Sequence, residues 1–143
     1  MSDKEIIRTG VEATSLMTAL TTLSSAAAGE NLTIPDVLAQ QLQDYFPQMH
    51  TRYKQLAGWT LHYALGVLWC IMLSHNLDEK RYQAAVKRLM FLATGSGLLA
   101  VLIWKAIFQF NPRGSRPSPN KFYSSLFISH LVFVLASFKR GKA

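Results

Sequence analysis

The sequence predicts an all-α protein: a four-helix transmembrane bundle with a short amphipathic surface helix between the first two spans. Three observations predict it. Half of the 143 residues are hydrophobic and 16% are charged, against about a quarter charged in soluble domains. Three runs, 55–77, 89–104 and 122–138, contain no Asp, Glu, Lys or Arg. The charges collect between these runs, so the formal charge of +7 reads as Lys and Arg flanking membrane spans rather than as a nucleic-acid surface. The length fits one domain, and residues 1–143 are taken as a single integral membrane domain.

The first span, roughly 6–28, is the least apolar. Residues 13–29 carry no charge, but seven are Ser or Thr and five are Ala. Small residues let helix backbones approach closely, and their hydroxyls bond back to the helix or across to a neighbour. This segment is therefore expected to pack against the other three spans rather than face lipid. A polar connection follows, in which Thr33, Pro35 and Asp36 look like a helix start. Leu38, Leu42, Tyr45, Phe46 and Met49 then recur at helical spacing, and Pro47 limits the run. We expect an amphipathic helix over roughly 35–49, lying on the membrane surface or capping the bundle.

The remaining spans are expected over roughly 55–76, 88–110 and 121–138. About 20 helical residues cross a hydrocarbon core of roughly 30 Å. The later runs are slightly short, and Lys105, Lys121 and Lys139 can extend them by snorkelling. Residues 76–88 form a charged loop, and 111–121 form a turn with three prolines. With the N-terminus inside, Lys4, Arg8, the 80–88 cluster and the 139–142 tail all fall on the cytoplasmic side. Arg52, Lys54, Arg113, Arg116 and Lys121 fall outside. The bias favours both termini in the cytoplasm. No cleavable signal peptide is visible.

Ionisable residues at membrane depth are costly and often functional. His62 lies eight residues after Lys54 and His130 nine after Lys121. The two spans run in the same direction, so both imidazoles fall at one depth, roughly 12–14 Å in. Gly58 and Gly66 flank His62 on one helix face and would open a groove beside it. Ser125 and Ser129 adjoin His130. The pair admits three readings: one interhelical hydrogen bond each, axial ligation of a haem or chlorophyll-type tetrapyrrole, or a proton or ion pathway with Glu12. Glu12 also lies four residues after Arg8, where the two pair on one helix face. Lys105 is expected to snorkel outward. Ala93, Gly97, Ala100 and Val101 form a further close-packing face on the third span. His50 and His75 read as solvated, and Cys70, alone of its kind, as a small buried hydrophobe.

No nucleophile elbow, phosphate-binding loop, zinc-protease motif or paired catalytic carboxylate is present, so no catalytic residue is assigned. The stretches Gly58-Trp59-Thr60-Leu61-His62-Tyr63-Ala64-Leu65-Gly66 and Ser129-His130-Leu131-Val132-Phe133 resemble the small bacterial inner-membrane proteins typified by YagU. That resemblance implies a four-span inner-membrane protein with a histidine–glycine motif in its second span, and no reaction or cofactor. The Ser/Thr-rich first span and the long amphipathic connection depart from it. The expected function is that of a structural or accessory subunit of a larger membrane complex. Its expected partners are the lipid bilayer and a membrane protein or a second copy, without nucleic acid.

Overall fold

The computed structural model describes residues 2–74, 82–111 and 116–140, with the side chains of all of these except 82–86, 139 and 140. Five helices follow in order: α1 (Asp3–Ala28), α2 (Ile34–Tyr45), α3 (Thr51–Ser74), α4 (Tyr82–Phe110) and α5 (Pro119–Arg140). No strand occurs among the described residues. Over Thr51–Ser74, Lys87–Phe110 and Pro119–Phe138 the chain is long and apolar enough to cross a membrane, which fits a multi-pass membrane protein. The outer surface agrees: Leu61, Leu68, Phe91, Leu102, Ile128 and Leu135 are all exposed, and lipid rather than water suits such a surface. α1 does not reach that apolarity.

α1 occupies the centre, packed against α3 on one side and α5 on the other. α5 in turn packs on α4, and α2 packs on α3. α1 is inverted relative to a soluble amphipathic helix. Its buried face is Ala13, Thr14, Met17, Thr18 and Thr21, while Ile7, Leu16 and Leu23 are exposed. The hydroxyls are absorbed by the helix itself. Thr14 Oγ1 donates to Gly10 O at 2.6 Å, Thr18 Oγ1 to Thr14 O at 2.8 Å, and Ser25 Oγ to Thr21 O at 2.7 Å. A polar residue so bonded costs little in an apolar surrounding. Ser2 and Glu5 start the helix with a capping box, a signal present in the sequence and not used above.

Gly58 and Gly66 of α3 and Gly97 of α4 meet other parts of the chain. A Cβ on Gly66 would collide with the Thr14 side chain, and one on Gly58 would lie 2.5 Å from Pro35 O and 2.9 Å from Ala39 N. At Gly97 the ring of Phe127 takes the space. These faces, which suggested partner helices, are filled by α1, α2 and α5.

α2 caps the bundle instead of lying on a surface. Ile34, Val37, Leu38 and Gln41 are buried, whereas Tyr45, Phe46 and Met49 of the expected stripe are exposed. The helix ends at Tyr45, ahead of Pro47, so Phe46 and Met49 do not continue its face. Its apolar side is therefore one turn earlier than the periodicity suggested. Polar bonds fasten this cap. Asn111 Nδ2 donates to Gln41 Oε1 at 3.0 Å and to Asp44 Oδ2 at 3.2 Å. Lys54 is buried and donates to Gln43 Oε1 and Pro47 O. Lys121 pairs with Glu30 at 3.1 Å, and Ser118 N donates to Glu30 Oε2 at 2.8 Å.

Candidate functional site between α3 and α4

α3 and α4 follow each other in the chain, yet they do not close against each other as α2 does on α3 and α4 on α5. Between them lies a half-open groove of about 180 Å³, and both His62 and His130 line it. The matched depth read from the sequence thus corresponds to a shared wall. Leu65 on α3 and Ile103 on α4 line the groove and are also exposed on the outer surface, so its mouth opens sideways between these helices. Ile34 and Leu38 of the α2 cap close one end. Beyond Trp69 a second groove of about 160 Å³ continues along the same seam, past Leu73, Leu92 and Gly95.

Hydrogen bonds assign a tautomer to each imidazole. Thr18 Oγ1 gives its proton to Thr14 O, so it accepts from His62 Nε2, 2.9 Å away. His62 in its neutral form is then the Nε2–H tautomer with a lone pair on Nδ1. His130 Nδ1 lies 3.0 Å from Leu126 O. A carbonyl only accepts, so Nδ1 carries the proton and Nε2 the lone pair. Each ring thus has one nitrogen tied to the protein and one basic nitrogen left over. His62 is buried and His130 half-buried. Trp69 stands edge-on to His130, with ring centroids 6.4 Å apart and planes at 89°. Its indole Nε1 is buried without an acceptor.

The residues as packed do not fit a tetrapyrrole. The faces of Gly58 and Gly66 hold the α2 backbone and Thr14 instead of an open slot. His62 Nε2 is committed to Thr18. The groove is smaller than the roughly 300–1,000 Å³ of pockets for drug-sized ligands. It is closer in size to the roughly 150 Å³ apolar cavity that admits benzene in another protein.

The other candidates lie elsewhere. Arg8 and Glu12 form an ion pair at 3.0 Å. Glu12 is six residues before Thr18, about 9 Å along the helix, so it does not meet His62. Lys105 is exposed, with Nζ 5.8 Å from the Tyr123 ring centroid. Cys70 is buried. His50 is exposed and its Nδ1 accepts from Arg52 N at 3.3 Å. His75, residues 76–81 of the expected 76–88 loop, residues 112–115 of the proline turn and the last three residues fall outside the described residues, and from Tyr82 onward the expected loop is already helix α4. Among the described residues no group of three His, Cys, Asp or Glu is placed to hold a metal ion.

Sequence reasoning missed Trp69 and Met17 as walls of the site and Thr18 as the partner of His62. Thr14 and Thr18 at i, i+4 on the small-residue face were a usable signal, because that face had to meet another helix. Outside the spans, the Ser118 backbone N–H, with Lys121 beside it, holds the Glu30 carboxyl below its ordinary value of 4.5. A bond from the Ser2 backbone lowers Glu5 likewise.

No family model, curated protein or solved structure matches the chain.

Proposed function

We propose that the chain is a four-crossing membrane bundle that acts as a non-enzymatic, ligand-holding accessory subunit, binding a small apolar molecule drawn from the bilayer between α3 and α4. The observation that carries this reading is the sideways mouth at Leu65 and Ile103, which leads to a groove containing two histidines. A seam that only held the bundle together would be closed by small residues, as the α1–α3 seam is. α1 serves as the fourth crossing in this reading. Its 26 residues span about 39 Å, and its hydroxyls are bonded internally. Lys and Arg bias puts both termini on the cytoplasmic side, and the resemblance to the YagU-like proteins suggests a bacterial inner membrane.

Two experiments test this. Native mass spectrometry of the protein released from mild detergent should find a small molecule retained by the wild type and lost in Leu65→Trp, which blocks the mouth from the lipid side. Equal retention, or none in either, would reject ligand holding. Single cysteines at Ser2 and Asn31, placed in a Cys70→Ser background, should react with an impermeant maleimide from opposite sides of the membrane. Reaction from one side alone would remove α1 as a crossing.

A further inference from the structure

Resting on the ligand-holding reading, we infer that the groove selects an apolar molecule bearing a hydroxyl group, and that His130 recognises that hydroxyl. The tautomers decide the chemistry. His130 Nδ1 is spent on Leu126 O, so Nε2 offers a lone pair and no proton. His62 Nε2 is spent on Thr18, so its Nδ1 also offers only a lone pair. The Thr14 hydroxyl, which also lines the groove, gives its proton to Gly10 O. The wall therefore presents two basic nitrogens, to which a ligand must donate. Trp69 stands edge-on to His130, and its indole nitrogen is closed to a water-sized oxygen, so the imidazole alone makes the polar contact.

A hydroxyl on a hydrocarbon donates to an imidazole nitrogen. A ketone, ester or ether oxygen leaves the imidazoles without a donor, and so does a bare hydrocarbon. The surrounding wall is apolar, with Met17, Ile107, Leu126 and Phe133, so it suits a hydrocarbon body whose remainder leaves through the mouth at Leu65 and Ile103. Discrimination arises because buried hydrogen-bonding groups left unmatched by the wrong ligand are costly.

Long-range nitrogen–proton spectra of the ¹⁵N-histidine protein in phosphatidylcholine nanodiscs test the inference, with 1-octanol, 2-octanone and octane as probes. Before any probe is added, His62 should read as the Nε2–H tautomer and His130 as Nδ1–H. Octanol should move the His130 Nε2 resonance and bind about tenfold tighter than octanone after correction for partitioning into lipid. His130→Phe should remove that preference. If His130 carries its proton on Nε2, the inference is overturned whatever binds. If octanol and octanone bind equally well, the selectivity is overturned while the groove reading stands. If no probe binds and the native protein retains no molecule, both fall. The wild-type tautomers and the probe ratio decide the matter even if a variant fails to fold.

Discussion

The seam between α1 and α3 and the seam between α3 and α4 share one helix and behave in opposite ways. Against α1, α3 presents Gly66, Val67 and Cys70, which let Gly10 and Thr14 come to backbone distance. Polar bonds join the two helices there, His62 to Thr18 at 2.9 Å and Tyr63 to Ser15 at 3.1 Å. Against α4, the same helix presents Trp69, Met72 and Leu73, opposite Phe91, Leu92 and Leu99. These facing side chains are large. In water, burial of so much apolar surface would drive the gap shut. In lipid that drive is absent, and helices close where small residues allow packing and polar groups bond across. The contrast teaches that size and polarity at the facing positions, not apolar content, decide which seams of this bundle are sealed.

The comparison can be broken at its closed side first. Gly66→Leu should force α1 and α3 apart at a cost of about 3 kcal/mol, read as a lower unfolding midpoint in detergent denaturation. Gly95→Leu, facing the open seam with nothing near its Cβ position, should change that midpoint little. Equal losses would mean that the two seams do not differ as described. Next in size, Thr18→Val leaves the His62 N–H without its acceptor and should destabilise by about 1 kcal/mol. Thr22→Val, whose hydroxyl bonds only to Thr18 O within its own helix, is its control and should cost less.

The smallest effect lies at the cap. Glu30 has its pKa lowered in the folded protein, first by the Ser118 N–H and then by Lys121. A carboxyl with a lowered folded pKa contributes stability above its unfolded value, which is lost as pH falls through the folded one. Protease cleavage around residues 29–33 should therefore rise as pH drops below the ordinary 4.5 of a free Glu. Glu30→Gln should flatten that rise. An unchanged pH profile would show that this contact does not hold the cap.

Much of this was legible from residues alone, for identifiable reasons. The charge-free runs marked α3, α4 and α5 because hydropathy adds residue by residue along a helix. The seven Ser and Thr of 13–29 marked α1 as a helix that turns its small polar face inward. Offsets of eight and nine residues from Lys54 and Lys121 gave His62 and His130 nearly matched positions along their helices, since helical rise is constant, and the two line one groove. The apolar stripe of α2 was carried too far because Tyr45, Phe46 and Met49 keep helical spacing past the point where Pro47 and the Tyr45 terminus end the helix. Lys54 looked like the polar edge of a span, yet it is buried against Gln43 and Pro47. No local pattern announces a bond across eleven residues of chain reversal.

From the sequence by itself came the helices, their apolarity and the position of each imidazole along its helix, because backbone hydrogen bonding and hydropathy are properties of a segment. Only the tertiary structure decided that Gly58 and Gly66 receive α2 and α1 rather than a ligand. It alone settled which nitrogen of each histidine is free and that α3 stands off from α4. Those outcomes depend on which side chain a distant helix brings to the same place, and chain folding sets that meeting.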